Sequence, residues 1–517
     1  MKNVLRLRVL RIAVACACTA ALCSLGSVGQ AQNHQPVILI HHPVTTKSAA
    51  AQREFDAGLT LMYAFNPEEA AYRFERAAEI DPQLAMAYYG MALATGPNIN
   101  TTYELARARV GREAIAQARR LEPHASARER DYIEALAPRY EGVTTDERIA
   151  GAQRAYAVAM RTLARRYPND LDATTLYAES LMDLTPLHMW NGDGTPAQHT
   201  PEVLALLNRV VGRNPDHIGA NHLLIHAWED SRTPQAALPA ARHLMAADLP
   251  PGAEHLAHMP AHVFTRVGDY DDAIAAGLRA IALFRRYLTL ERSTVHNAYY
   301  HHNFQVLNYA YMMSGQWANA HAAAIQIADQ VGDNAAGVET YLRFHKWREL
   351  LGLTPPARPD VRWRFAHAMA SAATGDQAEA RSTLDAFGHA PGDDPRTGIA
   401  RESLAAQIDI AQNRNASAIA HLRRAVAFQD RLPSREPPAW FYPIRETLGA
   451  RLVIAGAYSE AARVFSADLQ RNPNNPRSLF GLSQALEKAA PARAAAAAAS
   501  FRRAWSHADV QLGLTDL

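Results

Sequence analysis

Ten of the 22 histidines in this 517-residue chain fall between His217 and His302, in the phrases NHLLIHAWED, EHLAHMPAHVFTRVGDYDDAIAAG and YYHHNFQVLNY. His222, His226 and Glu229 are spaced i, i+4, i+7, and His255, His258 and His262 are spaced i, i+3, i+7. On a helix either spacing puts three side chains on one face. Imidazoles and a carboxylate that converge make the donor set of a transition-metal site. Zinc or copper suits such a thiol-free set best and iron is compatible, although the spacing alone selects no ion. The chemistry open to it is metal-activated water or bound dioxygen, with Glu229 as ligand or base and Arg266 or Tyr309 positioning an anionic substrate. A surface ion pair would account equally for Glu229 and Arg266, and aromatic packing for Tyr309. HLLIH carries the histidine pair of a zinc-protease helix, but Leu223 stands where the general base belongs, which argues against that mechanism. Nucleophile elbows, P-loops and dinucleotide fingerprints are absent from the sequence.

The elements that must position these residues are helical and repeated. At a period of about 34 residues, GLTLMYAFNPEEAAYRFERAAEIDP places Gly58, Ala70, Phe74, Ala77 and Pro82 at repeat positions 8, 20, 24, 27 and 32, which resembles the tetratricopeptide (TPR) signature. Small residues let two antiparallel helices approach, large ones fill the layer between repeats, and proline ends the second helix. The pattern returns at Gly268–Tyr270–Ala273, Gly315–Trp317–Ala320 and Gly449–Gly456–Tyr458–Ala461–Phe465. It predicts an all-α solenoid of roughly nine to eleven TPR-like helix pairs. VILI at Val37 to Ile40 is the one strand candidate.

The resemblance implies that the first helix of each pair lines the concave surface, with ligand contacts at positions 2, 5, 9 and 12. With Ile218 as position 1, His222, His226 and Glu229 take 5, 9 and 12. With Glu254, His255, His258 and His262 take 2, 5 and 9. With His301, His302, Gln305 and Tyr309 do the same, and Leu171 puts Glu179 at position 9. Six of twelve such positions are therefore histidine, where 22 in 517 would place roughly half of one. Pro260 predicts a break in the second helix, leaving His255 and His258 in a turn before a helix that starts near Met259. His41, His42 and His188 lie outside the repeats and could join the site or do nothing.

The N-terminus has basic residues Lys2, Arg6, Arg8 and Arg11, an apolar run from Ile12 to Leu25, and small residues at Gly29 and Ala31. It predicts a signal peptide over 1–31 and a periplasmic or secreted protein. All three cysteines lie inside it, so a metal in the mature chain would be held by nitrogen and oxygen. An arm over 32–50 would lead into a repeat array over 51–351 that carries the histidines. A Pro/Gly-rich linker at 352–360 would separate that array from a second, over 361–517. The 53 basic and 51 acidic residues, without blocks, give no footprint for nucleic acid, and no later run is long enough to span a membrane.

GLTLMYAFNPEEAAYRFERAAEIDP, GANHLLIHAWEDS, EHLAHMPAHVFTRVGDYDDAI and PPAWFYPIRETLGARL together resemble a family of exported bacterial TPR proteins of uncharacterised function. Pro67 and Gln305 stand where that family would have histidines. The expectation is a metal site of His222, His226, Glu229, His255, His258, His262 and His302. Glu179, Arg266, Gln305 and Tyr309 would contact a small-molecule ligand. The alternative is a metal-free scaffold that binds a protein or peptide in the groove.

Overall fold

Two rings show how the repeats close. The Phe74 ring fills the space between Gly58 and Gly90, where an added Cβ would stand 2.6 and 2.4 Å from it. Phe465 sits likewise between Gly449 and Gly481, at 2.5 and 2.1 Å. In each case a large side chain from the second helix of a pair enters the gap opened by glycines on the preceding and following helices. That interdigitation gives repeats a common core.

The computed structural model describes residues 40–289, 297–332, 335–388, 394–433 and 435–517. The predicted signal peptide, its cysteines, Val37 and His296 lie outside them. Among the described residues there are 24 α-helices and no strand, only an isolated bridge between Trp190 and Pro196. Ile40 is therefore in no strand. Neighbouring helices pack as pairs: Ala49–Tyr63 with Pro67–Ile80, Ile218–Glu229 with Leu238–Ala246, Glu254–Val267 with Tyr270–Leu288, and Asn297–Ser314 with Trp317–Val331. The molecule is an all-α solenoid of TPR-like pairs. None of the described helices is long and apolar enough to cross a membrane.

The solenoid curls until distant repeats touch. Helix Ala49–Tyr63 packs on helix Ile218–Glu229, where Gly219 admits the Tyr63 ring at 2.4 Å from a would-be Cβ. Further along, Gly268 has φ 78° and lies against the Pro473 carbonyl, whose oxygen would be 1.8 Å from a Cβ added there, so both conformation and space require glycine. Asp509 caps the helix Trp317–Val331 by accepting from the Trp317 and Ala318 amides at 2.6 and 2.9 Å. Residues 352–360 run irregularly between Trp347–Leu351 and Val361–Thr374, and helix Ala335–Arg343 packs on Val361–Thr374 across them.

Candidate metal centre

Three successive first-of-pair helices carry the six histidines. Leu171, Ile218 and Glu254, the residues at position 1 of their repeats, are the first residues of their helices; the third histidine helix starts at Asn297, ahead of His301. The break expected at Pro260 does not occur. Helix Glu254–Val267 runs through it, and every residue from Glu254 to Thr265 is buried. An interior proline costs about 3 kcal/mol. Burying Leu256, Met259, Val263 and Phe264, each about 1.5–3 kcal/mol, outweighs that. His255, His258 and His262 thus project from one continuous helix rather than from a turn.

The six rings form one contiguous cluster. Ring centroids lie 4.8 Å apart for His222 and His226, 4.9 Å for His222 and His255, 6.2 Å for His255 and His258, 4.6 Å for His258 and His262, and 4.8 Å for His258 and His302. Within it are two groups, His222–His226–His255 and His258–His262–His302, each with three nitrogens within 4.8 Å of one another. Either could hold a metal ion.

The partners behind the rings determine where the protons sit. His222 Nδ1 is 2.7 Å from the Tyr63 carbonyl, and His226 Nδ1 is 3.0 Å from Glu229 Oε2. A carbonyl and a carboxylate only accept, so both Nδ1 atoms donate, and in the neutral tautomers both Nε2 atoms keep bare lone pairs. Those lone pairs face each other at 3.1 Å. That is close to the roughly 3.3 Å between two nitrogens on one zinc ion, and two facing lone pairs repel unless a cation lies between them. In the second group His262 Nδ1 donates to Glu229 Oε1 at 2.6 Å, and His302 Nδ1 lies 3.3 Å from Gln305 Oε1. His262 Nε2 stands 2.6 Å from His258 Nε2 and 3.3 Å from His302 Nε2. The buried His258 Nδ1 has no hydrogen-bond partner among the described residues.

Burial, reinforced by neighbouring imidazoles, holds His222, His255 and His258 well below the ordinary histidine range, and His302 falls to about 4 for the same reasons. These rings are neutral at pH 7, as ligands must be. Burial alone would lower His262 too, but the adjacent Glu229 carboxylate outweighs it and raises that ring. Glu229 would be raised by burial; His262 and His226 instead hold it well below the usual carboxylate range.

Glu229, expected among the ligands, stands behind the rings, with one oxygen on each group. Gln305 does the same for His302. Arg266 donates to the Ser231 carbonyl and lies 3.9 Å from Glu436 Oε1. Tyr309 is buried near Glu436, Arg343 and Glu446. Glu179 is buried elsewhere, beside Asp183 and Arg139. His188 is exposed on the insertion whose Trp190 stacks on Trp228. His41 and His42 pair with Asp56 and Asp172 rather than with any of the six rings.

Some residues of the site escape a reading of the sequence. The Phe65 ring lies over the first group, 4.4 Å from His222 and stacked on His226 and His255 at 5.8 and 5.5 Å. Asn100 Nδ2 comes within 3.5 Å of His255 Nε2. At the edge of the centre Asp230 is raised to about 6 by burial and by Glu229, and Glu436 to about 7 chiefly by burial, against the pull of Arg266 and His262. Phe65 adopts φ 53°, a conformation that a large side chain takes only when its surroundings impose it. Nothing local tied it to a helix more than 150 residues away.

No family model and no curated protein matches the chain. Among solved structures, human IFIT1 in a dimer with m7Gppp-AAAA is 13% identical over 89% of this chain and 90% of its own, at a TM-score of 0.32. The APC/C hetero-tetramer Cut9–Hcn1 gives 13%, 84%, 76% and 0.32, and the P58(IPK) TPR domain 14%, 86%, 99% and 0.21. At these values the likeness says nothing about ligand or partner.

Proposed function

We propose that this is an exported TPR solenoid that binds two transition-metal ions, one at His222–His226–His255 and one at His258–His262–His302, with Glu229 orienting a ring of each. The observation that carries this reading is the pair of Nε2 atoms of His222 and His226, held face to face at 3.1 Å with an acceptor behind each ring. Neutral imidazoles locked in this way match ligands whose far nitrogen is anchored by a carboxylate or carbonyl. The donor set is all nitrogen, which favours zinc or copper and allows iron. A scaffold that binds peptides in its groove has less support, because the faces at positions 5 and 9 are filled by Tyr63, Phe65 and by each other. When bound, such ions supply Lewis acidity and activated water or dioxygen. Of the chain's own groups, Asp230 and Glu436 exchange protons near neutral pH at the edge of the centre, where Arg266 would hold an anionic substrate.

Elemental analysis of purified protein after aerobic reconstitution tests the reading. About two equivalents are expected at the histidine centre of wild type, and about one at that centre in each of His222→Ala/His226→Ala and His258→Ala/His302→Ala, with any metal held outside it common to all three proteins. Less than about a tenth of an equivalent in wild type would end the proposal. Retained stoichiometry in folded variants would end the ligand assignment.

A further inference from the structure

The segment before the first helix carries a second constellation. His42 is 4% exposed, with its ring edge-on to Tyr132 at 5.3 Å. His42 Nδ1 lies 2.8 Å from Asp172 Oδ2. Asp172 Oδ1 accepts from the Tyr63 hydroxyl at 2.9 Å and is 3.4 Å from His217 Nε2. His217 Nδ1 accepts from the Ala220 amide, so its proton is on Nε2, which makes no hydrogen bond among the described residues, and its own lone pair is taken. Asp170 Oδ1 caps the helix Leu171–Met182 by accepting from the Ala173 amide at 3.0 Å. Its side chain is 8% exposed, and Oδ2 is buried without a hydrogen bond, with Arg128 Nη1 at 3.7 Å. One donor atom each from His42, Asp170 and Asp172 falls within 4.8 Å of the others, and His42 Nε2 is also buried without a partner among the described residues.

Two carboxylates and an imidazole brought together at this depth are costly unless compensated. One cation, Arg128, is near, and it is shared: its other nitrogen donates to the Pro43 carbonyl at 2.7 Å. We propose that His42, Asp170 and Asp172 form a separate site for a divalent ion that accepts one nitrogen and two oxygen ligands, of the manganese or zinc class. The site has more oxygen and less nitrogen than the six-histidine centre, so it prefers harder ions and competes less well for copper. Tyr63 and His217 hold Asp172 from behind, as Glu229 holds the rings of the larger centre. The bound ion would tie the arm at His42 to helix Leu171–Met182, elements 130 positions apart in the chain. This inference stands whether or not the six histidines bind metal.

The test uses the His222→Ala/His262→Ala protein, which impairs the histidine centre, stripped with chelator and titrated with Mn²⁺ and, separately, Zn²⁺ by calorimetry. About one equivalent of at least one of these ions should bind, and affinity should fall at least about tenfold when Asp172→Asn or His42→Gln is added. Asp170→Asn, which keeps an acceptor for the Ala173 amide, should do the same and serves if either of the others fails to fold. The absence of saturable binding of both ions below about 1 mM would overturn the proposal. So would unchanged affinity in a folded Asp170→Asn protein, which would leave the constellation as a hydrogen-bonded tie for the arm and nothing more.

Discussion

Glu229→Gln separates a carboxylate that orients ligands from one that merely lies near them. In the native protein its two oxygens accept from His226 Nδ1 at 3.0 Å and from His262 Nδ1 at 2.6 Å. Glutamine keeps the shape but turns one acceptor into a donor. The ring facing the new NH₂ must then present a lone pair from Nδ1, which moves its proton to Nε2 and removes that nitrogen as a ligand. The ring facing the remaining oxygen loses a charge-assisted bond and becomes a weaker base. Loss of such a partner typically lowers metal affinity 10- to 100-fold, or about 1.4–2.7 kcal/mol. One residue supports both groups, so both should weaken, the one behind the NH₂ toward the upper figure. Competitive zinc titration against a chromophoric chelator would measure the two affinities, with far-ultraviolet circular dichroism to confirm folding. If both affinities stay within about twofold of wild type, Glu229 does not orient the rings. If one changes and the other does not, the bridging role is wrong.

Removing metal should expose an acid-labile protein. His222, His255, His258 and His302 are depressed in the folded state, whereas in the unfolded chain they would titrate near 6.5. Their contribution to stability is therefore complete above that pH and is lost as the pH falls from about 7 toward the folded values. His262 is raised, so it opposes them only above about 6.5 and drops out at lower pH, where it is protonated in both states; the other four then give a slope of at most about 5 kcal/mol per pH unit. Urea midpoints of metal-free protein at pH 7.5, 6.5 and 5.5 should fall steeply, and a flat series would contradict the assigned protonation states. Phe65→Ala should cost about 3–5 kcal/mol in urea unfolding, because the ring covers three imidazoles and alanine keeps the unfavourable φ; a loss under about 1 kcal/mol would mean that the ring is not packed as described. Gly481→Ala, with the Phe465 ring 2.1 Å from the new methyl, should destabilise by about 1–3 kcal/mol and leave metal stoichiometry unchanged. Coupled loss of metal in a folded Gly481→Ala protein would contradict the independence of that layer from the centre.

Local physics made the repeats readable. Glycine, alanine and a large residue at fixed offsets describe one helix pair closing on the next, and such contacts lie within about 34 residues, so a period in the sequence carries them. For the same reason helix starts at Leu171 and Ile218 could be placed from register alone. Pro260 shows the limit: its local penalty is real, but burial on every side of the helix exceeds it, and burial is not a local property.

The sequence by itself determined an α-helical repeat and that His222, His226 and Glu229 share a helix face, because both follow from the 3.6-residue turn and the repeat period. Only the tertiary structure decided that six rings fall into two groups, that Glu229 and Gln305 stand behind them, and that Tyr63 and Phe65 from the first repeat close over His222. Those outcomes depend on how far the superhelix curls, which is the sum of many small rotations between repeats and has no signature in any single one.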